Sequence, residues 1–214
     1  MIFIKVIFTF SIFTISCTKV LGHGMAIDPV GRGSAWRQGF KTPENWNDNE
    51  NFCGGYGVHY GINKGKCGAC GDDYSLTVPR PHENGGLYGT GTIVRTYKSE
   101  SIINATIQLT ASHLGYFEFA LCPLENEKDV ETEDCFERYP LRLASGGYKY
   151  PVRSSGNTLH TVELVLPQNL KCKQCSFRWH YRTGNTWGIC PNGKGDLGCG
   201  NQETFRTCSD IAIE

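Results

Sequence analysis

The sequence predicts an all-β protein, a β-sandwich with long disulfide-stapled loops and a few short helices. Several short segments alternate apolar and polar residues with a period of two, as half-buried strands do. Ten cysteines follow a predicted secretory leader, and an even number in a secreted chain is typical of a disulfide framework. The 192 residues beyond that leader suit one domain with its own core.

Five segments carry the strand signal. Residues 103–111 place five apolar side chains on one face and four polar side chains on the other. Residues 175–182 and 205–213 alternate in the same way, and residues 115–121 and 161–167 do so more weakly. Short strands separated by turns favour a sandwich over an α/β fold.

Residues 1–22 have the plan of a signal peptide: an early Lys5, an apolar run, and small residues before position 23. A retained anchor is the rival interpretation, but the apolar run is shorter than the roughly 20 residues that span a bilayer. We expect cleavage after Gly22, so that a single secreted, extracellular domain over residues 23–214 begins with His23. The Asn104 sequon is a possible glycosylation site in that compartment.

Charge excludes some partner classes. The leader contains two lysines and no acid, which leaves 19 basic and 21 acidic residues of the 21 and 21 in the whole chain. A domain near −2 offers no basic surface for nucleic acid or for an anionic membrane, so we expect neither partner. We expect a monomer.

The region from residue 31 to residue 91 is rich in glycine and shows no period. A loop of that length is unusual in a compact domain unless it is functional or stapled. We expect a disulfide-pinned excursion with short helices, one of them starting at residues 42–45, where Pro and Glu follow Thr.

Two cysteine pairs have metal-like spacing, Cys67 with Cys70 and Cys172 with Cys175. Zinc needs both pairs close together, and a redox role needs a βαβ setting, so disulfides are favoured for both pairs. Ten cysteines allow about 945 pairings by the counting that gives 105 for eight, so the connectivity stays open. The expected disulfide cysteines are Cys53, Cys67, Cys70, Cys122, Cys135, Cys172, Cys175, Cys190, Cys199 and Cys208.

Other catalytic patterns are weak. The chain has no Gly-x-Ser-x-Gly elbow and no phosphate-loop ending. Glu118, Glu163 and Glu203 lie on or beside predicted strands, and two of them could meet as the carboxylate pair of a glycoside hydrolase. We interpret them first as solvated.

The six histidines differ in setting. His59 and His82 lie in polar, turn-like runs and are expected to be solvated, whereas His160 and His180 lie within strand patterns and are expected to be structural. His113 follows a predicted strand and precedes a turn, so its ring can project from the rim of the sandwich.

An N-terminal histidine has chemistry of its own. After leader cleavage, the α-amine and ring Nδ1 of His23 could chelate one metal ion, because the α-amine titrates near pH 8 and a metal can displace its proton. The imidazole of His113 would add a third nitrogen, and nitrogen-rich planar sets suit Cu(II).

The sequence resembles the lytic polysaccharide monooxygenases, most closely the animal-type group, auxiliary activity family fifteen, related to chitin-binding type 4 domains. The resemblance covers essentially the whole chain after the leader. The matching stretches are His23-Gly24, residues 33–37, residues 53–55, residues 66–71, residues 111–117, residues 183–188 and residues 199–211.

The resemblance implies a distorted immunoglobulin-like or fibronectin-like sandwich with a copper "histidine brace" on a flat face. The brace would be the amine and ring of His23 with the ring of His113. The axial position falls on Phe205, where many members have tyrosine, so no axial oxygen donor is expected. Ala111 matches the small residue beside the copper, and Glu203 is the candidate for positioning the oxygen species.

The resemblance further implies oxidative cleavage of glycosidic bonds in crystalline chitin or cellulose. One copper ion, cycling between Cu(II) and Cu(I), would use O₂ or H₂O₂ and an external small-molecule or protein reductant. The alternatives are a non-catalytic secreted chitin- or cellulose-binding protein and a disulfide-rich structural or signalling protein. Aromatic residues of the excursion are candidates for stacking on the polymer: Trp36, Trp46, Tyr56 and Tyr60.

Overall fold

The computed structural model describes residues 23–214, and the predicted leader over residues 1–22 lies outside the described residues. In chain order the strands are β1 His23–Asp28, β2 Arg95–Tyr97, β3 Ile102–His113, β4 Tyr116–Leu124, β5 Arg142–Leu143, β6 Tyr150–Pro151, β7 Ser155–Val165, β8 Cys172–Arg182, β9 Trp187–Ile189, β10 Gly195–Leu197 and β11 Thr204–Ile213. The helices are a 3₁₀ turn Ala35–Gln38, a π-helix Gly57–Ile62 and α1 Glu133–Arg138.

Two sheets face each other across one main core. One sheet has the order β1-β3-β7-β5, and the other has the order β2-β11-β8-β4-β6. All neighbours are antiparallel except β2 and β11. A separate two-stranded hairpin, β9–β10, lies between β8 and β11 in the chain. The predicted all-β sandwich is confirmed.

The core forms because alternate residues of each long strand point inward. In β8, Phe177, Trp179 and Tyr181 are fully buried, and in β3 the predicted apolar face from Ile103 to Leu109 is buried as well. The inward face of β11 includes Phe205, which is 1% exposed. The period-two pattern therefore predicted which face of each long strand packs in the core.

The five predicted disulfides are confirmed. They join Cys53 to Cys67, Cys70 to Cys208, Cys122 to Cys135, Cys172 to Cys175, and Cys190 to Cys199. Only one of the two metal-like pairs is itself a bridge, since Cys67 and Cys70 belong to different bridges. The bridge from Cys70 to Cys208 spans 138 residues and ties the excursion to β11. A closure of that length is worth about 4–5 kcal/mol in the chain-entropy account.

A buried ion cluster also holds the excursion against the sandwich. The guanidinium of Arg32 donates to both carboxylate oxygens of Asp210 on β11, at 2.8 and 2.6 Å, and to Glu131 at 2.6 Å. All three side chains are essentially excluded from water. Paired charges at this depth are stable only as a complete set, so the cluster makes the docking of the excursion specific.

The predicted helix start at residues 42–45 is wrong. This segment is irregular, because Asn45 directs the backbone into a turn. Its side-chain oxygen accepts from the Asn47 N–H at 3.0 Å, and its carbonyl accepts from the Trp36 indole at 3.3 Å. Asparagine side chains that bond locally in this way compete with helix formation.

The expectation that His59 and His82 are solvated is also wrong. His59 lies in the π-helix, is 5% exposed, and its ring Nε2 donates to the Gly65 carbonyl at 2.9 Å. Burial lowers the pKa of His59, which favours its neutral form. The ring Nδ1 of His82 lies 2.7 Å from Asp72. Both rings therefore stabilise the excursion instead of facing water.

Asn104 lies on β3 and is exposed on the outer face of the four-stranded sheet. Its glycosylation stays a prediction. Within residues 23–214, no helix is both long enough and apolar enough to cross a membrane.

Candidate metal centre

The two histidines singled out from the sequence lie at the same end of the sandwich. His23 begins β1, His113 ends β3, and the two strands are antiparallel neighbours. His23 pairs with Ala111, so His113 lies one diagonal step away, where Cα atoms are about 7–8 Å apart. The register of β1 and β3 thus brings together residues 90 positions apart in the chain.

A carboxylate holds the ring of His23. Its Nε2 lies 2.7 Å from Oε1 of Glu50, which belongs to the excursion. The hydrogen bond from His23 holds the pKa of Glu50 below its usual value, so Glu50 is a carboxylate and accepts from the imidazole. Neighbouring backbone strengthens the contact, because the N–H of Gly24 donates to the carbonyl of Asn49 at 2.9 Å. Because Nε2 faces Glu50, Nδ1 is the ring nitrogen of His23 that is left for another partner.

A second carboxylate lies beside His113. Oε2 of Glu203 is 3.4 Å from His113 Nδ1, and the side chains are only 12% and 9% exposed. Glu203 immediately precedes β11, and its carbonyl accepts from the N–H of Thr183 at 3.0 Å. With Glu203 beside Nδ1, the nitrogen of His113 left for another partner is Nε2.

Tyr181 clamps the turn that follows His113. Its hydroxyl accepts from the His113 N–H at 2.9 Å and donates to the Leu114 carbonyl at 2.7 Å. Burial raises the pKa of Tyr181 to about 12, so the hydroxyl remains protonated and can make both bonds. Leu114 and Gly115 both have positive φ, of 56° and 92°, and any Cβ on Gly115 would lie 2.1 Å from the Arg182 carbonyl. Glycine is therefore required where the chain leaves the histidine.

Phe205 lies behind these residues in the core. It pairs with Tyr181 across β11 and β8, and its ring stacks on Tyr181 and on Phe52, with both centroid distances 5.9 Å. The side chain has no donor or acceptor. Ala111 is half-buried and faces His23 across the strands.

Glycine at position 24 is explained by the same packing. An added Cβ would lie 2.6 Å from a methyl carbon of Leu109 and 2.9 Å from the Trp179 ring. A larger residue there would push His23 away from the sheet end.

The donor set fits copper. Two imidazoles, each with one ring nitrogen beside a carboxylate, match the pattern in which metal-binding histidines are oriented by outer carboxylates. Imidazole suits Cu, Zn, Fe and Ni, and a nitrogen-only planar set favours Cu(II). Within residues 23–214, no cluster of three or more His, Cys, Asp or Glu side chains could hold a metal ion. A two-imidazole site needs a further nitrogen, and the α-amine of a cleaved chain would supply it.

The carboxylates considered for glycoside hydrolysis do not meet. Glu163 is exposed on the outer face of the four-stranded sheet, opposite Asn104. Glu118 pairs with His180 in the other sheet, and only Glu203 lies beside His113. The structure therefore offers no pair among these three for acid–base catalysis on a glycosidic bond.

Sequence reasoning missed two residues of this centre. Glu50 lies in the aperiodic excursion, 27 residues after His23, in a run that repeats Asn, Asp and Glu. Tyr181 lies in the strand predicted over residues 175–182, but the hydrogen bond that its hydroxyl accepts from the His113 N–H depends on how β8 ends. Neither role leaves a signal in the local pattern.

Comparison with known proteins agrees with this geometry. The family model described as lytic polysaccharide mono-oxygenase, cellulose-degrading, matches residues 23–211. A solved structure of a lytic polysaccharide monooxygenase of group AA15 from Thermobia domestica, in the Cu(I) state, is 44% identical, with a TM-score of 0.88. That match covers 89% of this chain and 98% of the other. A comparison with curated proteins finds no match.

These findings do not favour the alternative of a non-catalytic binding protein, and the immunoglobulin-like sandwich with its disulfides agrees with the family. The chain belongs to the lytic polysaccharide monooxygenases, in their animal-type AA15 group, and is a copper-dependent enzyme that cleaves polysaccharide oxidatively.

Proposed function

We propose that His23 and His113 hold the copper ion of a secreted monooxygenase, after a leader is cleaved behind Gly22. The observation that carries the proposal is the pair of carboxylate contacts, because they leave one nitrogen of each ring available for the metal. The plan of residues 1–22 supports the cleavage, and the match to the family model starts at His23.

The metal would be held by the α-amine and Nδ1 of His23 and by Nε2 of His113. Bound copper would supply one-electron redox chemistry, in which an external reductant donates electrons and O₂ or H₂O₂ is the oxidant of a carbon at the glycosidic bond. Glu50 is hydrogen-bonded to Nε2 of His23 and so orients that ring, and Glu203 lies 3.4 Å from Nδ1 of His113. Each carboxylate would favour a proton on the ring nitrogen that does not bind metal. Glu203, beside His113, is also proposed to position the oxygen co-substrate.

Phe205 and Ala111 are proposed to act without binding the metal. Phe205 contributes no oxygen atom, and it keeps water out of the space behind the histidines because its buried ring stacks with Phe52 and Tyr181. The small side chain of Ala111 leaves room beside His23. Both proposals follow the family pattern and the positions of these residues.

The proposed partners are a crystalline polysaccharide, chitin or cellulose, and a small-molecule or protein reductant. The family description names cellulose degradation, which makes cellulose one of the two polymers to test. We propose that the enzyme acts as a monomer. We also propose that it binds neither nucleic acid nor a membrane, because the net charge of residues 23–214 is near −2 and basic residues are not in excess.

The test is a product analysis. Chain beginning at His23 and loaded with copper is incubated with crystalline chitin and with crystalline cellulose, with and without ascorbate, and soluble products are examined by mass spectrometry. Oxidised oligosaccharides are expected from at least one polymer, only with reductant and copper. Unoxidised oligosaccharides alone, or no product from either polymer while copper is bound, would overturn the proposal.

Replacement of Glu50 tests the role of its carboxylate. Glu50→Ala is expected to weaken Cu(II) binding about 10- to 100-fold, because the His23 ring loses the acceptor that orients it and selects its tautomer. Glu50→Gln keeps an acceptor oxygen and should lose less. Calorimetric titration gives the affinity, and the Cu(II) electron paramagnetic resonance spectrum reports the ligand geometry.

Glu44→Ala, at another acid of the excursion, is the matched control, because the Glu44 carboxylate accepts a hydrogen bond from the Trp46 indole at 3.2 Å and not from a histidine. It should leave both the affinity and the spectrum unchanged. If Glu50→Ala behaved like Glu44→Ala, Glu50 would have no positioning role.

A further inference from the structure

A cavity of about 140 Å³ lies on the outer face of the five-stranded sheet. Its floor is formed by the neighbouring strands β4 and β8, in which Glu118 pairs with His180 and Ala120 pairs with Arg178. These side chains point away from the core, since Trp179, between Arg178 and His180, is fully buried in it. None of the residues that line the cavity belongs to the candidate metal centre.

The walls of the cavity are apolar and fixed in place. α1 supplies Phe136, and the chain that follows α1 supplies Pro140 and Tyr148. A disulfide between Cys122 and Cys135 ties α1 to β4, so the wall cannot move freely from the floor. Tyr148 is 51% exposed and lies at the mouth of the cavity. Sites for small molecules are concave, mostly apolar and largely preformed, as this cavity is.

Arg178 brings spare hydrogen-bond donors to the cavity. Its Nη1 donates to Glu133 at 2.9 Å and to the carbonyl of Ala69 at 3.3 Å, and its guanidinium carbon lies 4.0 Å from the centroid of the Phe136 ring. These two bonds use only Nη1, and Nε has no hydrogen-bond partner within residues 23–214. Burial, with the neighbouring cation of Arg206, lowers the pKa of Arg178 to about 10, so the group is still charged at neutral pH. Spare donors beside a cavity favour a ligand that accepts hydrogen bonds.

His180 and Glu118 supply acceptors. Burial, together with the cations of Arg206 and Arg178, holds the pKa of His180 well below its usual value. The ring is therefore neutral and presents one donor nitrogen and one acceptor nitrogen. The closest cation to Glu118 is Lys149, whose Nζ is 3.8 Å from the carboxylate, a distance longer than a hydrogen bond. Both side chains can therefore accept from a ligand.

A ligand for this cavity has to match its size and its mixed polar groups. An engineered apolar cavity of about 150 Å³ in another protein binds benzene, so one six-membered aromatic ring fits here. A small anion is disfavoured, because the carboxylates of Glu118 and Glu137 line the cavity and Glu133 already pairs with Arg178. A sugar ring is disfavoured as well, because it carries several hydroxyl groups and the cavity offers few polar side chains to satisfy them.

We propose that this cavity binds a phenol, an aromatic ring with one or two hydroxyl groups, at a site separate from the metal centre. A phenol hydroxyl both donates and accepts, so it donates to His180 or Glu118 and accepts from Arg178. The ring packs against Phe136 and Tyr148, and pairs of aromatic rings contribute more than the area that they bury. This site goes beyond the proposed function, which assigns no role to the residues that line the cavity.

The test is a calorimetric titration of the copper-loaded chain, beginning at His23, with phenol. One phenol per chain is expected to bind, with a dissociation constant on the order of 1 mM because the ligand has few atoms. Benzoate and glucose should bind about tenfold more weakly or not at all. The Cu(II) electron paramagnetic resonance spectrum should be unchanged at saturating phenol. The copper-free chain should give the same affinity, so the result does not depend on the proposed function.

Two variants locate the bound phenol. His180→Leu keeps a side chain of similar size and removes its acceptor, so the affinity for phenol is expected to fall about tenfold. Tyr148→Ala removes an exposed wall and should lower the affinity about threefold while the melting temperature stays the same. Tyr74→Ala is the matched control, because Tyr74 is 40% exposed but lies in the excursion and does not line the cavity. It should bind phenol like the wild type.

The absence of phenol binding by the wild type would overturn the proposal, and so would full binding by both cavity variants. Benzoate bound more tightly than phenol would identify an anion site instead. A change in the Cu(II) spectrum on adding phenol, with full binding by Tyr148→Ala, would place the phenol at the metal. If His180→Leu fails to fold, the comparison of Tyr148→Ala with Tyr74→Ala decides alone.

Discussion

One extra residue ahead of His23, with its own amine acetylated, is expected to remove tight copper binding and all oxidative cleavage. In a chain that begins acetyl-Ala-His23, the nitrogen of His23 is a peptide amide, and no free amine remains to anchor Cu(II) while that amide loses its strongly held proton. The imidazole would then act without its chelate partner. A donor linked in the same residue raises affinity by 10²–10⁴, so a loss on that order is expected.

The comparison needs two chains that differ only at this end, one starting at His23 and the other at the added, acetylated alanine. Calorimetric titration with Cu(II) gives the affinity, and ascorbate-driven product release from chitin or cellulose gives the activity. A chain with one extra alanine at the carboxyl terminus, after Glu214, controls for the added residue. Equal affinity in the extended and the native chain would exclude the amine as a ligand.

Such an experiment also bears on the predicted leader, which lies outside the described residues. The leader prediction depends on the order of charge, apolar run and small residues in the sequence. In the proposed site, His23 can offer its α-amine only after cleavage behind Gly22.

Strand positions could be predicted because a half-buried strand must alternate. In β3 the predicted inward face is buried from Ile103 to Leu109, but a register irregularity follows and Ala111 is only half-buried. In β8 the predicted inward face is buried as well, yet Ser176 and Arg178 on the opposite face are also buried, which alternation did not predict. The same regularity predicts the neighbourhood of His23 and His113 only after the pairing of β1 with β3 is known, and the pairing is a long-range contact.

Loops carry less information. The failed helix start at Asn45 and the buried ring of His59 both depend on local side-chain hydrogen bonds, which no sequence period indicates. Disulfide partners are underdetermined for another reason, since they depend on long-range packing. Cys70 pairs with Cys208, not with Cys67, because the excursion docks on β11. The position of Glu50 beside His23 follows from that docking as well.

The exposure of aromatic residues was equally hard to predict. The sequence around Trp187, Thr-Trp-Gly, does not indicate that this side chain is 65% exposed on the β9–β10 hairpin. In the structure, Trp36 packs edge-on against Trp46, with centroids 4.7 Å apart, and the Tyr60 hydroxyl donates to the Gln202 carbonyl. Trp187 instead lies on glycine with its outer face open, which only the pairing of Gly195 with Ile189 explains.

His113→Ala is expected to abolish oxidative cleavage while the fold persists. The imidazole lies at a strand end, and its loss removes one nitrogen from the proposed site. The backbone clamp remains, because Tyr181 bonds to the N–H of residue 113 and to the carbonyl of Leu114, and neither group belongs to the replaced side chain. The free energy of unfolding should therefore change by no more than about 1–2 kcal/mol.

His160→Ala is the control for losing a histidine. His160 is buried like His113, but it lies within β7, and its ring is hydrogen-bonded to the hydroxyl of Thr158. It should leave copper affinity and product yield unchanged once unfolding by heat shows that the protein is folded. Unchanged product yield in folded His113→Ala would remove His113 from the site.

A third measurement separates ligand loss from a general disturbance of the end of the sandwich. His113→Ala leaves the amine and Nδ1 of His23 in place, so a weaker two-nitrogen site should remain, with a changed Cu(II) electron paramagnetic resonance spectrum. The variant in which acetylated alanine precedes His23 removes the complementary part of the site. If each variant weakens binding of the same single Cu(II) ion, His23 and His113 act on one metal ion. If His113→Ala leaves the affinity and the spectrum of that ion unchanged, they do not.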